Sequence, residues 1–208
     1  MPPTDRYVAR FAAEPPQDGL PYGRWGDKLR VEFLAACLRI DDEGEDLGES
    51  GEIVWYPDRT YNGRTYVPAS TRTTTGYELY GYVSFQPAID GGDATELQAT
   101  ADFTAETAEA NPDWALDLCE DVIDAWRGEA GKVAAITLVW GRPMVEGGVV
   151  ATAELADLAV DQCELVDGRF TLIAPDNYRG DILDIKLFDN GGKELASESL
   201  YEEDSEEE

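Results

Sequence analysis

The residues best placed to do chemistry in this chain are carboxylates. Within Asn111–Trp126 (NPDWALDLCEDVIDAW), Asp113, Asp117, Glu120, Asp121 and Asp124 follow at spacings of one to four, with no basic residue among them. Wound as a helix, the segment turns Trp114, Leu118, Cys119, Val122, Ile123 and Trp126 to one side and all five acids to the other. Such a stripe can accept the Lys and Arg side chains of a basic protein, or imitate the charge of a nucleic-acid backbone. Its like-charge pairs one turn apart cost roughly 0.2–0.5 kcal/mol each. That is small against the burial of two Trp side chains, so a merely solvated face accounts for it too. The five acids are the candidate partner-binding residues.

A second constellation has the opposite sign. Between Ile53 and Tyr77, Arg59, Arg64 and Arg72 face only Asp58, in a chain whose formal net charge is −28. Trp55, Tyr56, Tyr61, Tyr66 and Tyr77 lie among them with a run of threonines. Arg and Tyr combine contact area with directed hydrogen bonds, the composition of binding hot spots. Trp55, Tyr56, Tyr61, Arg64, Tyr66 and Arg72 are therefore alternative candidates for holding a glycan or another polar small molecule. Pro68–Gly76 (PASTRTTTG) reads as an exposed contact loop. The plain alternative is that Tyr and Thr are ordinary strand residues.

Other chemistries are excluded or left without a signal. Histidine is absent, which removes Ser-His-Asp and Cys-His catalysis and His-ligated metals. There is no phosphate-binding glycine loop, no dinucleotide fingerprint and no nucleophile elbow. Cys37, Cys119 and Cys163 are far apart and form no CxxC pair, so buried thiols fit better than a disulfide framework or a zinc site. The acidic loop at Asp41–Glu52 lacks EF-hand spacing. No cofactor and no metal is expected. A hydrolase working with two carboxylates stays open, but 44 acids offer too many pairs to choose one. The charge disfavours direct nucleic-acid binding. No run of apolar residues is long enough for a membrane helix, and the N-terminus carries no apolar signal core. A cytoplasmic protein is the expectation.

The elements that must position these residues read as follows. A helix is expected from about Arg24 to Arg39, because Trp25, Leu29, Phe33, Ala36, Cys37 and Ile40 recur on one face. Asn62-Gly63 suits a tight hairpin turn between strand-like runs, and Asp167-Gly168 and Asp189–Gly192 suggest two more. GYELYGYVSF and ELQATADF alternate as strands do. The Asn111–Trp126 helix comes next, with Asn111 as N-cap and Pro112 at its first position. Six strands are expected after it, near Val133–Trp140, Gly148–Leu155, Val160–Val166, Arg169–Ala174, Ile182–Phe188 and Lys193–Leu200.

The expected fold is α+β: mainly antiparallel sheet, with hairpins and a C-terminal β meander, plus two amphipathic helices. It is read as one domain over residues 1–201, with a possible division near residue 131, followed by a disordered acidic tail at 202–208. An arm through Tyr7, Val8 and Phe11 is expected to pack at the N-terminus. The leading functional reading is a non-catalytic acidic protein that binds a basic protein partner, in its sharpest form as an inhibitor or nucleic-acid mimic. The alternatives are a glycan or small-molecule module built on residues 53–77, and a carboxylate-dependent enzyme.

Overall fold

A computed structural model describes residues 23–42, 44–88, 93–127, 133–176 and 181–200. The N-terminal arm and the 202–208 tail lie outside the described residues. One helix, α1 (Gly23–Cys37), opens the described chain. Its expected apolar face is buried: Leu29 and Phe33 are fully enclosed, Ala36 and Cys37 nearly so, and Ile40 packs beside them.

The remaining elements are antiparallel strands. The first sheet contains β1 (Ser50–Trp55), β2 (Arg59–Tyr61), β3 (Arg64–Thr73), β4 (Glu78–Gln86) and β5 (Thr95–Thr104), in the order β1-β3-β4-β5 with β2 also on β3. The central sheet places β7 (Val133–Pro143) between β6 (Leu116–Arg127) and β10 (Phe170–Asp176). The outer sheet runs β12 (Glu194–Ser199), β11 (Leu183–Phe188), β8 (Val150–Leu155), β9 (Leu158–Glu164). Helix α1 covers one face of the first sheet through Leu29, Phe33, Val67 and Val83. The other face meets the central sheet through Tyr56, Tyr66, Tyr82, Ile136, Leu138 and Trp140. The far face of the central sheet packs on the outer sheet through Val139, Leu172, Leu183, Ile185 and Leu187. Strand β9 lies against β10 and β12 approaches β6, so these two sheets close toward a barrel.

The sheet-rich class agrees with the sequence reading, and the six C-terminal strands fall close to their expected places. The turns form for the reasons given: Asn62 and Gly63 take φ of 51° and 77°, and Asp167 and Gly168 take 49° and 72°, the positive values a two-residue hairpin needs. The partner of β3 across Asn62-Gly63 is the short β2, and β1 joins β3 farther along.

The second helix does not exist. Asn111–Trp114 is a turn, closed by Trp114 N–H donating to the Asn111 carbonyl, and the residues after it form β6. The reason is a bulge. β6 pairs with β7 from Leu116↔Pro143 to Arg127↔Val133, but the register slips between Val122 and Asp124. Before the slip Cys119 faces the first sheet; Ile123, the extra residue within the slip, and Trp126 beyond it do so too. A strand that changes parity in the middle leaves apolar residues three and four apart, which is also the helical spacing. A lone acidic helix of this length is marginal, whereas the strand satisfies its backbone along the whole of β7.

Pro68–Gly76 is likewise not an exposed loop. Residues 68–73 are the buried interior of β3, and only Thr74–Gly76 form the turn. Proline is tolerated there because the carbonyl of Pro68 accepts from Tyr56 N–H just where β2 has ended and β1 has yet to begin. Its missing donor faces that gap.

Candidate functional site

Where β6 runs along the edge of the central sheet, its exposed side and the end of the first sheet enclose a cleft of about 210 Å³. Tyr80 and Trp114 supply aromatic surface, and Leu118 and Cys119 add apolar lining. Carboxylates of Glu78 on β4, Glu106 in the loop after β5 and Asp117 on β6 line it, and Glu120 borders it from β6. Gly141 on β7 lets β6 come this close. A Cβ there would stand 2.3 Å from the Asp117 carbonyl oxygen.

The four acids are held differently. Asp117 is nearly buried and accepts from Arg142 Nε at 2.8 Å. Arg142 also faces Glu109, which pairs with Arg72. Glu78 is buried, and loss of water raises its pKa. Glu120 is pushed up to about 7, first by loss of water and then by Asp176 and Asp121. Its Oε2 is enclosed and has no hydrogen-bond partner within the protein. Glu106 is exposed at the rim. Burial also raises the Cys119 thiol well above its ordinary value, which makes it lining rather than a nucleophile. Among the described residues, no group of three or more Cys, Asp or Glu side chains is arranged to hold a metal ion.

The five acids of the expected stripe are dispersed by the strand. Strand alternation puts Asp117 and Asp121 toward the first sheet and Glu120 on the opposite face. Asp121 accepts from the Thr100 hydroxyl, Asp124 is exposed beyond the bulge, and Asp113 lies in the preceding turn. Only Asp117 turns toward the cleft, while Glu120 borders it from the strand.

The aromatic and arginine set is also divided. Trp55 packs on Phe33 under the helix, while Tyr56, Tyr61 and Tyr66 lie on the other face of the same sheet. Arg64 donates to Ser84 and to the Glu96 carbonyl, and Arg72 donates to the Gly76 carbonyl. These six residues do not meet in one site. Sequence reasoning missed Glu78, Tyr80, Glu106 and Trp114 as cleft residues. Their juxtaposition depends on packing β4 against β6, two strands with no local sequence link.

The fold and cleft thus define a layered antiparallel β protein with an acidic, aromatic-walled groove at a sheet edge. No protein-family model matches the chain, and no curated protein or solved structure matches it. No helix among the described residues is long and apolar enough to cross a membrane.

Proposed function

We propose that the protein is a non-catalytic interaction module for a basic protein partner, and that the cleft receives a Lys or Arg side chain of that partner. The observation that carries this reading is the convergence of Glu78, Glu106 and Asp117 with Tyr80 and Trp114 on one cleft. A cation entering there meets carboxylate acceptors and aromatic faces together, and the two attractions reinforce each other away from bulk water. The net charge of −28 would steer such a partner toward the protein from a distance. Calorimetric titration with Arg-rich and Lys-rich peptides tests it. Trp114→Ala and Glu106→Gln should each weaken binding by up to about tenfold, the loss of one cation–π or rim contact. Affinities unchanged in both variants would refute the reading.

One observation favours a second reading, a carboxylate-dependent hydrolase. Glu78, whose pKa loss of water raises, lines the same cleft as Asp117, which Arg142 engages. Two carboxyl groups in such unlike surroundings resemble an acid and a base with separate tasks. Turnover of glycoside or ester substrates, lost in both Glu78→Gln and Asp117→Asn, would support it. Screens that find no turnover by the folded protein would count against it.

A further inference from the structure

A second polar cluster lies deep in the seam between the first and central sheets. Arg59 is 1% exposed, and Thr171 and Trp140 are fully buried. Arg59 reaches across from β2 and donates through Nη2 to both Asp161 oxygens, at 2.6 and 2.7 Å, and through Nη1 to the Thr171 carbonyl at 3.0 Å. Asp161 in turn accepts from Ile173 N–H. One side chain therefore pins all three sheets. Yet three polar atoms are left over: Arg59 Nε, Trp140 Nε1 and Thr171 Oγ1 have no hydrogen-bond partner within the protein.

The fold places these three side chains in the same seam. Thr171 and Trp140 are direct cross-strand partners on β10 and β7, so their side chains share a face. That face meets the first sheet, because Trp140 and Ile173 pack there with Tyr56 and Tyr66. Arg59 descends on the same spot from the opposite sheet and holds the carbonyl of Thr171 itself.

We propose that this point is a built site for one internal water molecule, which accepts from Arg59 Nε–H and Trp140 Nε1–H and donates to Thr171 Oγ1. Water has two lone pairs for the two donors and a proton for the hydroxyl oxygen, matching the roughly three bonds a buried water makes. An anion is a poor occupant: Asp161 already neutralises the guanidinium, so a second negative charge would be buried without a counter-ion. An apolar occupant would leave both N–H donors unmet. The water joins β2 to β7 and β10, and it exchanges with solvent only when the first and central sheets part.

A crystal structure of the full chain tests this directly. One ordered water within hydrogen-bond distance of all three atoms is expected. An empty site, a halide, or these atoms turned onto protein acceptors would overturn the proposal. In solution, the Trp140 indole proton should show a cross-peak to water of opposite sign in NOE and ROE spectra. Its absence from the spectrum of the folded protein would also overturn it. Thr171→Ser should keep the cross-peak and Thr171→Val should weaken it; equal intensities would remove Thr171 from the site. Trp140→Phe identifies the indole resonance, and triple-resonance assignment serves if that variant does not fold.

Discussion

Replacing Glu120 with Gln should stabilise the protein, and only on the alkaline side. Loss of water, reinforced by Asp176 and Asp121, raises this carboxyl from 4.5 to about 7. A carboxyl whose folded value lies above its unfolded value binds more protons in the native state across that interval. Stability therefore falls as pH rises from 4.5 toward 7, and above that the penalty is complete. At about 1.4 kcal/mol per unit, the full shift corresponds to about 3 kcal/mol. Glu120 is only half-buried, and water screens part of its charge, which leaves about 1–2 kcal/mol. Gln keeps the shape and removes the ionisation. Thermal unfolding of the two proteins should coincide at about pH 4, below the unfolded value, where the wild-type carboxyl is mostly protonated in both states. At about pH 8 the variant should melt higher by about 3–6 °C, given the entropy of unfolding for a chain of this size. A difference that is the same at both pH values, or a lower melting point for the variant at the higher pH, would refute the reasoning.

Other expectations follow from the packing. Arg59→Met leaves Asp161 buried beside the Ile173 amide without its cation; urea denaturation should show a loss of about 3–5 kcal/mol. Gly141→Ala would drive a Cβ against the Asp117 backbone and the Leu118 side chain; a loss of about 1–3 kcal/mol is expected, with weaker peptide binding as Asp117 moves off Arg142. At a formal charge of −28 the folded chain repels itself, so its melting temperature should rise with sodium chloride as the Debye length shortens. A melting temperature that falls with added salt would contradict this.

What the sequence made legible was what depends on neighbours along the chain. Helix α1 and the hairpins at Asn62-Gly63 and Asp167-Gly168 follow from local spacing and backbone preference, and they stand where expected. The alternating Leu183, Ile185 and Leu187 are buried as their period requires. Asn111–Trp126 misled because its bulge breaks the two-residue period, and because the partner that decides its state, β7, follows it in sequence. Pro68 looked like a loop marker, but the break in pairing between β2 and β1 accommodates it within a strand. The cleft was hidden for a related reason: Glu78 and Tyr80 meet Asp117 and Glu120 only through contact between two sheets. Of the acids picked out on that segment, Asp117 belongs to the cleft and Glu120 borders it from the opposite face of the strand.

The most direct test of the central claim is an NMR titration of the isotopically labelled protein with agmatine, a small molecule bearing a guanidinium and an ammonium group. Binding in the cleft predicts saturable shifts of the Trp114 indole and of the backbone amides of Leu118, Cys119 and Glu120, reduced in Glu106→Gln and Glu78→Gln. Shifts spread evenly over the acidic surface, including the loop at 44–49, with none at Trp114, would contradict it.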